Sequence, residues 1–285
     1  MWVDSNLPAS GRITGIRENL DKTLEKLQIL RYNGIEVMIG NPFNFDVKSF
    51  QKTLDKYNLQ TSQLCTGEFW GTYNLCLNDP QEKNRREALR WAFKTVDIAE
   101  KLKCSVNVGR FRGKIWNNEN QDSVERMFEA FISLDKYALE HGVWILLEPL
   151  KPNVCDTLNT LKDSLDVIES LGLQSTGIML DTDHTDLVHE EQWIEKLNLF
   201  YVHLSDTDHL PLGKGKIPFK RYFSILRKHR YEGYLSVETF CCELQCIEES
   251  NSLLSKHLLV EGDGNWIWRS SENWTFWEQI IKFIT

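Results

Sequence analysis

WILLEP at 144–149, GIMLDTDH at 177–184, LFYVHLSD at 199–206 and YLSVETF at 234–240 each carry, at or near the end of a short apolar run, a side chain that can hold a metal. Those side chains are Glu148, Asp181, His203 and Glu238, and they follow one another at intervals of 33, 22 and 35 residues. Such intervals suit one strand plus one crossover helix of a βα repeat. The runs are rich in Val, Ile, Leu, Tyr and Phe and are too short to be helices. They read as strands buried on both faces, as in a parallel sheet. The metal-capable residues sit at the C-terminal ends, where parallel αβ barrels place their chemistry.

Working outward, eight such runs alternate with helical patterns: 2–7, 34–39, 61–66, 104–109, 143–148, 177–181, 200–205 and 234–238. Eightfold alternation predicts an α/β protein built as a single (β/α)8 barrel over residues 1–285. Apolar residues recur at helical spacing in between: Leu20, Leu24, Leu27 and Leu30; Leu89, Ala92, Phe93, Val96 and Ala99; Leu161, Leu165, Ile168 and Leu171. Gly34, Gly142 and Gly172 fall where these helices should stop. Two connections are longer than a simple barrel needs, 69–79 after the third strand and 241–271 after the eighth. Both are expected over the C-terminal face, with a last helix at 274–284 and Trp266 and Trp268 in the long loop.

The length matches what such barrels use as one domain. A formal charge of −8 argues against nucleic acid, whose binding is driven by Lys and Arg at phosphates. The opening MWVDSNLP has no basic stretch leading into an apolar one, and no apolar run approaches the roughly 18 to 20 residues that span a bilayer. A cytoplasmic protein without a membrane partner is expected. Its 7 cysteines read as reduced thiols. Cys241, Cys242 and Cys246 cluster after Glu238 but lack a fourth ligand for a thiolate metal site.

A single acid at a strand end is commonly a helix cap or an ion-pair partner. Four consecutive strands ending in Glu148, Asp181, His203 and Glu238, each after an apolar run that gains nothing from a charge, point to one shared ion. Three carboxylates and one imidazole suit a divalent ion such as Mn²⁺, with Mg²⁺ and Co²⁺ as alternatives. His184 lies three residues beyond Asp181, and Asp206 three beyond His203. His184 is placed to bond a substrate oxygen or to orient a ligand. After the fourth strand, VNVGRFRGK sets Arg110 and Arg112 at the catalytic end, where guanidinium groups can clamp a phosphate or carboxylate or form salt bridges among loops.

These residues resemble the xylose isomerase-like barrel superfamily and, within it, the ketose 3-epimerases of the tagatose and psicose type. The likeness is carried, in order, by LEP at Glu148, LDTDH at Asp181 and His184, HLSD at His203, GKGKIPF at 213–219, VETF at Glu238 and NWIWRSS at 265–271. It implies that Glu148, Asp181, His203 and Glu238 bind one divalent metal shared with the substrate's adjacent hydroxyl and carbonyl oxygens. Glu148 and Glu238 then act as the catalytic pair, one removing the proton beside the carbonyl and the other returning it to the opposite face, while the metal stabilises the enediolate. Two positions depart from the family. The epimerases carry a second glutamate six residues after the first metal glutamate and an arginine six after the metal histidine, and here those positions are Val154 and His209. His209 keeps a hydrogen-bond donor for a sugar and Val154 does not.

The expected activity is therefore that of a metal-dependent isomerase or epimerase of a small carbohydrate, with a homo-oligomer possible. A lyase that dehydrates a keto-polyol through the same enediolate, or a carbohydrate-binding subunit without turnover, fits the same ligand set. The abasic-site endonuclease branch requires more strand-end histidines than the 7 in the chain provide.

Overall fold

The computed structural model describes residues 1–5, 7, 15–17, 19–117, 120–196, 199–240 and 243–258. Eight parallel strands lie in one sheet in consecutive order: β1 (Trp2–Val3), β2 (Gly34–Met38), β3 (Gln60–Cys65), β4 (Ser105–Val108), β5 (Ile145–Leu147), β6 (Thr176–Asp181), β7 (Leu199–Leu204) and β8 (Tyr234–Val237). The Met1 nitrogen, one residue before β1, donates to Val237 O of β8 at 3.1 Å and bridges the seam between the two edges. The first and fifth strands are shorter than the apolar runs suggest, with Glu148 just beyond the end of β5.

Helices cover the outside: α1 (Leu20–Ile29), α2 (Val47–Tyr57), α3 (Gly67–Gly71), α4 (Glu82–Leu102), α5 (Asn120–Glu140), α6 (Leu161–Leu171), α7 (Leu187–Lys196), α8 (Phe219–Lys228) and α9 (Leu244–Leu258). α1, α2, α4, α5, α6 and α8 each bury a stripe of residues. In α4 that stripe is Ala88, Trp91, Ala92, Thr95, Val96, Ala99 and Leu102, whereas Phe93 sits at its edge and stacks on Tyr137 of α5 with ring centroids 4.4 Å apart. Burying one such large apolar side chain stabilises the fold by about 1.5–3 kcal/mol. α6 begins with a reciprocal cap between Thr160 and Asp163 and ends at Gly172 in the left-handed conformation.

Three expectations are corrected here. Gly34 is not a helix stop: α1 ends at Leu30 with Arg31 in the left-handed region, and Gly34 opens β2, where a Cβ would lie 2.7 Å from Gln60 O. The stretch after β8 is not a long open loop, because Ile247, Ser250 and Leu254 of α9 are buried against the barrel. Cys246 is disulfide-bonded, so the cysteines are not all reduced thiols. Cys241, Cys242, the tryptophans at 266 and 268 and the helix expected at 274–284 lie outside the described residues. Among those residues no helix is long and apolar enough to cross a membrane.

Candidate metal centre

The barrel interior is polar from its middle upward. Gln63 Nε2 donates to Glu36 Oε1 at 3.1 Å, and Asn107 Nδ2 donates to Glu148 Oε2 at 2.8 Å. Above this layer four strand ends converge. His203 Nδ1 lies 3.2 Å from Glu148 Oε1, 3.7 Å from Asp181 Oδ2 and 3.1 Å from Glu238 Oε2. One ligand atom from each of the four lies within 4.8 Å of the others, and all four side chains are buried. β6 and β7 place Asp181 and His203 side by side, since the two are partners in the ladder.

The electrostatics explain why this cluster suits a cation. Burial alone would lower the pKa of His203, yet Glu36 and Glu238, with the hydrogen bonds of Asp181 and Glu148, raise it far above the usual imidazole range. Burial pushes Glu238 up, but His203 and His209 outweigh it and hold the carboxyl well below its normal value. A proton on His203 thus occupies the charge position that a divalent ion would take, with His203 Nδ1 and the three carboxylates as donors. The donor set fits an oxygen-preferring ion.

The sequence reading missed Glu36, which is buried, accepts from Ser236 Oγ at 2.7 Å and faces Nε2 of His203. A carboxylate on the far nitrogen fixes the tautomer that leaves Nδ1 free for a metal. Its signal was present: a lone acid inside GIEVM, a run otherwise fit for burial on both faces.

Asp206, three residues beyond His203, belongs to the loop and not to the substrate. Its carboxylate accepts from the amides of Gly213 (2.7 Å), Gly215 (2.9 Å) and Ile217 (3.1 Å), which pins the GKGKIPF segment. A Cβ at Gly215 would meet Asp206 Oδ1 at 2.2 Å, so that glycine allows the close approach. The turn after Asp206 carries His209 inward. Its Nε2 lies 3.3 Å from Glu238 Oε2 and its Nδ1 3.3 Å from Asp183 Oδ2, while its ring stacks on Phe240. His184 comes beside it, ring centroids 5.3 Å apart.

The two arginines separate. Arg112 is fully buried, and its guanidinium donates to the carbonyls of Gly109, Glu148, Thr157 and Leu158. With its donors spent on main-chain oxygens, Arg112 braces the loops after β4 and β5 and has none left for the phosphate or carboxylate clamp that was one of its two sequence readings. Arg110 pairs with Glu68 and lines a cleft of about 180 Å³ with Trp70, Lys114, Val154 and Asp156. Val154 is 44% exposed there and gives that cleft an apolar surface.

Comparison with known proteins agrees with this fold. L-ribulose 3-epimerase of Methylomonas sp. is 24% identical over 78% of this chain and 79% of its own. Ketose 3-epimerase of Arthrobacter globiformis is 25% identical over 79% and 78%. Among solved structures, 3-keto-D-glucoside 4-epimerase from E. coli superimposes with a TM-score of 0.73 at 19% identity, covering 85% of this chain and 94% of that one. The D-allulose 3-epimerase of Methylomonas sp. in complex with D-allulose gives 0.67 at 20% identity, covering 92% and 90%. The model of the xylose isomerase-like TIM barrel family matches residues 24–257, and the chain belongs to that family.

Proposed function

We propose that the protein is a divalent-metal-dependent sugar isomerase or epimerase that moves a proton beside a carbonyl, with Glu148 and Glu238 as its catalytic pair. The observation that carries this reading is the convergence of three carboxylates on Nδ1 of His203 within a shielded pocket. Glu148, Asp181, His203 and Glu238 would hold the ion, Mn²⁺ being the first candidate on donor chemistry. When bound, the ion supplies Lewis-acid stabilisation of the charge that builds on the substrate's oxygens. Several of the compared proteins, by name, epimerise ketoses or keto-glycosides, which supports a small carbohydrate as substrate.

Glu148 and Glu238 stand just beyond the ends of β5 and β8, and their carboxylates lie 3.2 and 3.1 Å from the same Nδ1 of His203, which supports their serving one carbon together. His203 and His209 hold the Glu238 carboxyl well below its normal value against the upward push of burial, which suits it to begin as the base, and Asn107 Nδ2 donates to Glu148 Oε2 at 2.8 Å. For the configuration at that carbon to invert, the pair must enter holding one proton between them: the carboxylate takes the substrate's proton on one face, and its partner, starting as the acid, gives its own proton to the opposite face. His184 and His209 line the same mouth, and Arg110 lies along the cleft beside it.

The test is a panel of ketoses and keto-glycosides with Mn²⁺ in D₂O, read by NMR. The wild type should place deuterium on the carbon next to the carbonyl. Glu148→Gln and Glu238→Gln should each lower the rate by at least about 100-fold, the size of a general acid–base contribution. Undiminished exchange in both variants refutes the assignment.

A further inference from the structure

Among the loops after β3, β4 and β5 lies the cleft of about 180 Å³ that proton transfer between Glu148 and Glu238 does not use. It adjoins the metal centre. A Cβ at Gly109 would meet Glu148 Oε2 at 2.8 Å, so the chain passes against that carboxylate one residue before Arg110 enters the cleft wall.

Two cations line this cleft with donors to spare. Arg110 is anchored by Nε, which donates to Gly67 O at 3.0 Å, and by Nη2, which pairs with Glu68, whereas Nη1 has no hydrogen-bond partner among the described residues. Lys114 pairs with no carboxylate among those residues. Its Nζ lies 4.6 Å from the ring centre of Trp116 and 5.7 Å from that of Trp70, contacts that hold an ammonium in place while leaving its charge unmatched.

A buried side chain fixes the wall that carries Lys114. Asn78 is fully buried; its Nδ2 donates to Lys114 O at 2.7 Å, and its Oδ1 accepts from Lys114 N at 3.3 Å and from Trp116 Nε1 at 2.9 Å. Gly113 at φ 103° lets the chain come that close, since a Cβ there would meet Asn78 Oδ1 at 1.8 Å. Lysine and indole are thus held at set places, as a binding wall requires.

The acids nearby are turned to other donors. Glu68 accepts from Arg110 and from Thr72 Oγ1 at 2.6 Å, and Asp156 Oδ1 accepts from Ile115 N at 3.0 Å. What the cleft offers a ligand is one edge of a guanidinium and one ammonium beside the apolar surface of Val154. Such a pair of donors suits a phosphate or carboxylate, which accepts charge-assisted hydrogen bonds from both.

We propose, on the isomerase reading above, that this cleft takes an anionic group of the sugar, a phosphate or a carboxylate, with Lys114 Nζ and Arg110 Nη1 as its donors. The substrates are then acidic or phosphorylated ketoses in preference to neutral ones.

Calorimetric titration of the Mn²⁺-loaded full chain at low salt compares D-fructose with its 1-phosphate, its 6-phosphate and D-fructuronate. At least one of the anionic ketoses should bind about 10-fold or more tighter than fructose, and which one it is separates phosphate from carboxylate. Lys114→Gln should bring that ratio to within about 3-fold, Lys114→Arg should keep most of it, and high salt should erode it. Equal affinity for all four sugars, no binding of any, or a preference that Lys114→Gln leaves intact overturns the anion site. Deuterium exchange into a neutral ketose in the same preparation then leaves the catalytic reading standing, and its absence ends both.

Discussion

Both carboxylate oxygens of Glu36 on β2 lie 3.0 Å from Nε2 of His203 on β7, across the barrel interior and out of reach of solvent. That contact decides which nitrogen of His203 faces the four-ligand pocket. Glu36→Gln keeps the volume but removes the charge, and should weaken Mn²⁺ binding by about 10–100-fold without loss of fold. Calorimetric titration of the stripped protein measures this, and unchanged affinity would remove Glu36 from the metal centre.

The ion itself should stabilise the fold, because the unfolded chain scatters the four ligands. At a free Mn²⁺ concentration 100 times the dissociation constant, unfolding should cost about 2.7 kcal/mol more than in chelator. Urea denaturation with and without Mn²⁺ reads the difference, and Asp181→Asn should abolish most of it.

Arg112 gives a contrast with Arg110. Arg112→Met leaves the carbonyls of Gly109, Glu148, Thr157 and Leu158 without their donor in a buried site, and should destabilise the protein by about 3–5 kcal/mol. Lysine, with a point charge in place of a planar fork, should not restore it. Arg110→Met removes a half-exposed guanidinium from the buried Glu68, which keeps the Thr72 hydroxyl as a donor, so its cost should fall below that of Arg112→Met.

The alternation of apolar runs made the eight-stranded frame legible in sequence, and it marked four side chains whose ligand atoms the fold brings within 4.8 Å of one another. Glu148, Asp181, His203 and Glu238 were legible because a charge at the end of an apolar strand has no packing reason to be there. Glu36 obeys the same logic but sits inside its strand, and a period-2 reading alone does not say that it points into the barrel. Arg110 and Arg112 could not be told apart, because a three-residue 3₁₀ turn at 110–112 sets their directions and leaves no periodic trace. The helix α9 was hidden by the cysteine at its start and the serines through its middle, and its place is fixed by contacts of Ile247 and Leu254 with the rest of the barrel.

The buried thiols give a check on the frame. Burial, then the charge of Asp79, pushes Cys76 up to about 12, and burial likewise raises Cys65 and Cys104. At pH 8 a thiol at that value is thiolate in roughly one molecule in ten thousand. Iodoacetamide should therefore spare Cys65, Cys76 and Cys104 in the native protein and label them after unfolding in urea, as read by peptide mass spectrometry. Rapid native labelling of Cys104 would contradict the packing of α4 on β4.

The most direct test of the central claim is a crystal grown with Mn²⁺ and measured for its anomalous signal. The account predicts an anomalous peak bonded to Nδ1 of His203 and to carboxylate oxygens of Glu148, Asp181 and Glu238, each at about 2.0–2.3 Å. A fully loaded crystal with no peak between these four side chains, or with the manganese bound elsewhere, would contradict it.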